Sequence, residues 1–240
     1  MISICIPIHN MSGENVRMMT QLLDSIAMQT YTDYNVIVSD QSDGNEIKEL
    51  CMKYHNVSWL NNRAGTRVSA ANCNNAIINS HGEYIKVMFA DDLFYTKDAL
   101  EKMMTGIGDK QWLVCGCVHY NDNPEKTYRP HKPEIPKYRN TEKDNMKALA
   151  LGENLIGNPS VMLYKRCEEI FDNPLRMLTD TDLYYRLWLR YGLPVFMNDM
   201  LINVRIHEKS QQQMCSKELI DTEKRYMKAK FQVLDLKAVD

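Results

Sequence analysis

Phe89-Ala90-Asp91-Asp92-Leu93 sets two adjacent carboxylates directly behind an apolar run. Two such groups side by side repel one another, and a cation or a donor-rich ligand relieves the repulsion. Hard carboxylate oxygens suit Mg²⁺ or Mn²⁺, and a divalent ion held there can bridge a diphosphate. The doublet equally suits a plainer use, in which one aspartate caps a helix beginning near Tyr95 and the other faces water. Three more polar clusters, His9-Asn10, Ser39-Asp40 and Asn61-Asn62-Arg63, also terminate apolar runs. The position of Asp40 and Asn62 beside the doublet favours the cation.

The elements that must carry these groups follow from the apolar pattern. Runs rich in β-formers occupy residues 2–8, 34–39, 57–60 and 84–89, with helix-period segments between them, the βαβ signature of a parallel sheet. Val16, Met19, Leu22, Leu23, Ile26 and Ala27 recur at three- and four-residue spacing and predict one apolar helix stripe. Helical stretches are also predicted over 45–54 and 68–79. Ligands of open α/β sheets bind at the carboxyl edge, where strand order reverses, so all four polar clusters belong to one expected site. No G-x-G-x-x-G follows the first strand and no G-x-x-x-x-G-K-[ST] occurs, which argues against a dinucleotide oxidoreductase and a P-loop NTPase.

Residues 121–145 hold four of the prolines (124, 130, 133, 136) and few apolar anchors, and read as a loop over the site. Beyond it a helix near 146–151, a strand near 160–164, a helix over 181–191, strands near 195–197 and 201–206 and a helical tail over 216–236 are expected. No repeat or linker divides the chain. One domain over 1–240 is expected, with a donor half (1–120), an acceptor-side half (121–215) and the tail (216–240).

Composition removes other classes. With 29 Lys+Arg against 31 Asp+Glu over 240 residues, no basic field exists to hold nucleic acid. No apolar run approaches the roughly 18–20 residues of a membrane span; peripheral membrane contact is left open. The seven cysteines are odd in number and scattered in apolar stretches, as befits buried thiols in a reducing compartment. The first residues lack a basic leader, so a cytoplasmic protein is expected.

The ordered set of motifs resembles the family 2 glycosyltransferases of GT-A fold. Ser3-Ile4-Cys5-Ile6-Pro7-Ile8-His9-Asn10, Leu23-Asp24-Ser25-Ile26, Val38-Ser39-Asp40-Gln41-Ser42-Asp43-Gly44, Ala71-Asn72, Gly82-Glu83-Tyr84-Ile85 and Asp91-Asp92 carry the likeness through the first half. Gly157-Asn158-Pro159-Ser160, Asp180-Thr181-Asp182 and Arg205-Ile206-His207 continue it. The resemblance implies a Rossmann-like, mostly parallel sheet flanked by helices, with a smaller acceptor-side subregion. It implies inverting, hexosyl-type transfer from a nucleotide sugar, UDP favoured, to a hydroxyl of a glycan or lipid-linked acceptor, assisted by Mn²⁺ or Mg²⁺.

By the same resemblance Asp40 meets the nucleotide base, with Pro7 and His9 in the loop beside it, and Asn72 and Asp91 also face the donor. Asp92 and His207 would hold the metal, and Asp180 would be the general base. Asp180 could also serve simply as a helix N-cap, and His207 as a strand-end histidine in water. The chain departs from the family pattern at Phe89, where an aspartate is common, at Ala71, where an arginine is common and Arg63 or Arg67 would substitute, and at Thr179, where an acidic residue precedes the base. Modest metal affinity is expected from Phe89, and Thr179 weakens the base assignment without removing it. The alternative reading is a catalytically silent nucleotide-sugar or glycan-binding module on the same fold; a nucleotidyltransferase would need a Gly- and Lys-rich loop that residues 8–20 lack.

Overall fold

The computed structural model describes residues 1–9, 14–121, 129–135, 142–207 and 215–232, with the side chains of 142–144 left aside. Strands β1 (Ile2–Ile8), β2 (Tyr34–Asp40), β3 (Val57–Asn61) and β4 (Tyr84–Val87) appear where the apolar runs predict them. They are followed by β5 (Leu93–Phe94), β6 (Trp112–Tyr120), β7 (Arg129–His131), β8 (Met162–Lys165) and β9 (Val195–Arg205). The helices are α1 (Glu14–Ala27), α2 (Glu46–Cys51), α3 (Ser69–Ile78), α4 (Ala99–Ile107), α5 (Glu142–Ala150), α6 (Thr179–Tyr191) and α7 (Lys217–Phe231).

Among the described residues the nine strands form one sheet in the order β3-β2-β1-β4-β8-β6-β9-β5, with β7 beside β6. The pairings make β1, β2, β3, β4, β6 and β9 run one way and β5, β7 and β8 the other. Six carboxyl ends therefore share one rim. The chain leaves β1 for β2 and β3 on one side, then returns to place β4 on the other, so the strand order reverses between β1 and β4. That is where a crevice opens in such sheets.

The sheet stays buried because its strands are apolar on both faces. Every residue of β1 is buried, and Ile2, Ile4, Ile6, Val36, Val38, Ile85 and Val87 join the main core. Full burial of each such side chain contributes about 1.5–3 kcal/mol. Pro7 fits inside this central strand for a geometric reason. Cys5 faces β4, accepting from Met88 N at 3.0 Å, and by two-residue alternation Pro7 faces the same flank. β4 has already ended at Val87, opposite Cys5, so the missing N–H leaves no ladder bond unmade.

In α1, Met19, Leu22, Leu23 and Ile26 are buried as the stripe predicts, Val16 is half-buried and Ala27 exposed, and Met18, outside the stripe, is buried as well. Four features differ from the expected elements. The helix expected near Tyr95 begins at Ala99, because Leu93 and Phe94 pair with Asn203 and Ile202 instead. The expected strands 195–197 and 201–206 are one strand, β9, whose pairing to β6 shifts register around Gly116. A Cβ at Gly116 would meet the Asp199 carbonyl at 2.9 Å, so the bulge needs glycine there. Strand β6 had no counterpart in the expected order. Of the 121–145 loop, Arg129–His131 is strand and α5 starts at Glu142; residues 122–128 and 136–141 lie outside the described set.

All seven cysteines are free thiols, five of them buried. Burial pushes Cys5 and Cys115 up to about 12, consistent with inert packing.

Candidate active site at the carboxyl rim

At the β2 end, Asp40 is fully buried and its carboxylate is already engaged. Oδ1 accepts from Ser42 N at 2.8 Å and Oδ2 from the Trp59 indole at 2.9 Å. Asn62 N donates to Asp40 O at 2.8 Å. Asn72, on α3, ties three strand ends together: Nδ2 donates to Ile8 O at 3.1 Å, while Oδ1 accepts from Ser39 Oγ at 2.6 Å and from Asn62 Nδ2 at 3.0 Å. Arg63 turns back on the 42–45 loop, donating to Ser42 O at 2.7 Å, to Gly44 O and to Asn45 Oδ1 at 3.0 Å. Arg67 reaches Asp43 at 2.6 Å. His9 leaves β1 at the same rim, its carbonyl accepting from Asn15 at 2.7 Å; Asn10 lies outside the described residues. Asp40, Asn62, Arg63 and Asn72 thus form one hydrogen-bonded floor.

The second cluster stands beyond the ends of β4 and β9. Asp91 Oδ2 lies 3.0 Å from His207 Nε2, and these side chains are 32% and 24% exposed, so both face outward. Asp92 is only 1% exposed, accepting from Asn158 Nδ2 at 2.8 Å and Arg205 N at 3.2 Å. Burial and the neighbouring Asp91 push the Asp92 carboxyl up to about 7. Asp91 is the carboxylate that meets His207, while Asp92 turns inward. Asp40 is engaged by Ser42 N and the Trp59 indole, and the Asp91–Asp92 pair by His207, Asn158 and Arg205, which makes two hydrogen-bonded clusters on the rim.

Among the described residues no three His, Cys, Asp or Glu side chains converge as a metal centre. Asp91 and His207 supply one oxygen and one nitrogen donor on an open face. That set fits an ion whose remaining positions come from substrate phosphates and water.

Arg205 binds the cluster to its surroundings. It donates to Asp91 O at 3.1 Å and Gln21 Oε1 at 2.6 Å, and its guanidinium lies 4.8 Å from the centre of the Tyr120 ring. Lys86, on β4, is fully buried beneath: Nζ donates to Ser160 O and, at 3.3 Å, to Met162 O. Burial lowers Lys86 to about 8, and Cys115 and Asp92 oppose that effect. Sequence reasoning quoted Arg205 in a motif without a role and missed Lys86. A lysine interrupting the apolar run Tyr84–Phe89 was the available signal, since such a cation stays buried only with partners.

The Asn154–Ser160 turn joins this cluster to Asp180. Asn158 holds Asp92, Ser160 Oγ accepts from Phe89 N at 3.0 Å, and Asn154 Nδ2 donates to Asp180 Oδ2 at 2.7 Å. Gly157, at φ +122°, aims its carbonyl at both Asn154 Nδ2 (2.8 Å) and Tyr184 OH (3.2 Å). Asp180 Oδ1 also accepts from Thr181 N at 2.8 Å. Burial nonetheless pushes its carboxyl up to about 6, with the backbone N–H donors and Asn154 opposing and the Glu223 charge assisting. Asp180 stands in the first turn of α6 rather than at its N-cap, which is Leu178. Asp182, also in the first turn of α6, is fully buried against Arg186 and Lys230. Trp188 packs on Tyr185 at 5.4 Å between ring centres, and Tyr128 and Tyr138 lie outside the described residues.

Comparison with known proteins bears on family and fold. Residues 3–166 match Glycosyl transferase family 2. An uncharacterised glycosyltransferase of Rickettsia prowazekii is 26% identical over 216 residues, covering 86% of this chain and 64% of that protein. The chain thus spans under two thirds of that relative's length. Among solved structures, S. aureus TarS 1–349 with UDP-GlcNAc superposes with a TM-score of 0.67 at 16% identity, over 99% of this chain and 68% of that one. A mannosyltransferase from Pyrobaculum calidifontis with GDP-Man and Mn²⁺ gives 0.66 at 14% identity, over 99% and 65%. The sheet order, the shared carboxyl rim and the match over residues 3–166 place the chain in glycosyl transferase family 2, with the GT-A fold.

Proposed function

We propose that the chain transfers a sugar, with inversion, from a nucleotide sugar to a hydroxyl of a glycan or lipid-linked acceptor. The observation that carries this reading is the Asn154–Ser160 turn. It holds Asp92 of the rim cluster through Asn158 and Asp180 through Asn154, so one rigid element sets the leaving-group end against the base end. Transfer by a single displacement needs those two ends on opposite faces of the sugar.

On this reading the buried floor of Asp40, Asn62 and Asn72, flanked by Pro7, His9 and Arg63, seats the nucleoside. Asp91 and His207 would hold a divalent ion, which would supply charge neutralisation to a diphosphate leaving group. Asp92 supports the cluster from beneath, through Asn158 and the Arg205 backbone. Asp180 takes the acceptor proton as the acceptor oxygen bonds the anomeric carbon and the bond from that carbon to the diphosphate breaks. A carboxylate with its pKa raised to about 6 is ionised at neutral pH yet more basic than a free aspartate, as general-base catalysis favours.

An acceptor cleft is supported by a cavity of about 420 Å³ lined by Pro130, His131, Lys132, Glu134 and Leu155. It adjoins the Asn154 turn, since Glu134 N donates to Leu155 O at 2.9 Å. Among the described residues no helix is long and apolar enough to cross a membrane. UDP, GDP and dTDP sugars, each with and without Mn²⁺, form the test panel. A cognate donor at a hundred times its Kd raises stability by about 2.7 kcal/mol and is consumed with release of nucleoside diphosphate. His207→Ala should raise the Mn²⁺ concentration needed for half-maximal turnover, and Asp180→Asn should slow turnover by about 10²- to 10⁴-fold while leaving the melting shift intact. Binding without consumption by the unmodified protein would instead identify a silent module; no shift with any donor defeats both readings.

A further inference from the structure

The tail helix α7 lies beyond the residues matched to the family, yet its side chains enclose the turn that carries Asp180. Glu223 is 4% exposed. Its Oε1 accepts from Arg176 N at 2.7 Å, and its Oε2 from Met177 N and Leu178 N, each at 2.9 Å. Three consecutive backbone N–H groups thus converge on one carboxylate just before α6, an arrangement that binds anions strongly. Helix α6 has no capping side chain of its own, since its N-cap is Leu178. A negative group at that end also complements the helix dipole.

The grip continues along one face of α7 at helical spacing. Met227 Sδ lies 3.9 Å from Thr181 Oγ1. Lys230 Nζ reaches Asp182 Oδ1 at 2.5 Å and Asp172 Oδ2 at 2.6 Å, where Tyr226 OH also donates at 2.8 Å. Phe231 meets the Tyr185 ring edge-on at 4.6 Å. Positions 223, 226–227 and 230–231 are neighbouring turns of one stripe, and they bracket residue 180 from 176 through 185.

We infer that α7 is part of the catalytic apparatus, with Glu223 a positioning residue that fixes the entry turn of α6 and so the direction of the Asp180 carboxylate. The inference rests on the reading of Asp180 as the base, and the two are separable by experiment. Glu223→Gln retains the side-chain shape but offers one acceptor oxygen to three donors. Misplacement of a reacting group by an ångström costs up to about 10²-fold in rate, so kcat should fall roughly 10- to 100-fold with the donor KM unchanged. Amide hydrogen exchange at 176–182 should quicken in the same variant.

The deciding measurement is the double variant Asp180→Asn/Glu223→Gln. If Glu223 acts through Asp180, the pair is no slower than Asp180→Asn alone. Multiplicative losses, or a donor KM that rises with kcat intact, overturn the inference. Should Glu223→Gln fail to fold, Lys230→Met removes the Asp182 contact from the far side of the same turn and enters the same cycle with the same two outcomes. Full activity in Asp180→Asn refutes the base assignment alone, whatever the Glu223 variants do.

Discussion

Asn154→Ala tests the acid–base reasoning because it removes one donor from the Asp180 carboxylate. The Asn154 amide donates to Oδ2 at 2.7 Å, and a hydrogen bond to a charged group is worth about 1.5–3 kcal/mol. Each pKa unit corresponds to about 1.36 kcal/mol. Asp180 is partly open to water, which replaces some of the lost bond, so the lower bound applies and the midpoint moves up by about one unit. The sign follows from the donor stabilising the ionised form: its removal favours the protonated acid. Thr181 N, Tyr184 and the Glu223 carboxylate stay in place and do not reverse it.

From a starting value of about 6, the midpoint goes to about 7. At pH 6 the ionised fraction then falls from about one half to about one tenth, while at pH 8 it falls only from about 99% to about 90%. Steady-state kcat/KM for sugar transfer, followed from pH 5 to 9, reports this directly. Asn154 Oδ1 also accepts from Ile156 N and Gly157 N, so a uniform loss across all pH values is expected from loosening of the turn. The ratio of rates at pH 6 and pH 8 is what decides. A ratio unchanged from the parent protein refutes the assignment of Asp180 as the titrating base.

Three other outcomes are expected. Native Asp92 keeps its proton to about pH 7, whereas a free aspartate releases it near 3.8; the folded state binds more protons between those values, so stability in metal-free buffer falls as pH rises through that window. Asp92→Asn should flatten the dependence of Tm on pH between 4 and 7, and an unaltered slope counts against it. Trp59→Phe withdraws the indole donor from the buried Asp40 and should cost about 1–3 kcal/mol in urea unfolding, with no loss if Asp40 finds water instead. Lys86→Met leaves the Ser160 and Met162 carbonyls without their cation and should cost about 1–3 kcal/mol for each carbonyl left unpaired, measured the same way.

Periodicity was enough to order β1 through β4 and the helices between them, because a strand buried on both faces is a continuous apolar run and a sheet-packed helix shows a stripe. The same local rules failed at Leu93–Phe94, which read as the approach to a helix. Two residues carry too little pattern to announce a strand, and what holds them is pairing with Asn203 and Ile202, over a hundred positions away. The bulge at Gly116 was hidden for a related reason, since it depends on where Asp199 and Met200 come to rest.

At the site, residue type and position behind a strand picked out Asp40, Asn62, Asp91 and Asp92 as a rim set, because carboxyl ends of parallel strands must share an edge; His207 was added only by the family resemblance. Which aspartate faces outward was not decided by the sequence. A single residue of advance along the turn after β4 sends Asp91 to His207 and Asp92 into the protein, and only the Asn158 and Arg205 donors that receive Asp92 make its burial tolerable. The role of α7 was likewise invisible, for a glutamate in a charge-mixed helix is ordinarily a solvated side chain. Packing against α6 turned Glu223 inward, where three backbone N–H groups made its charge affordable.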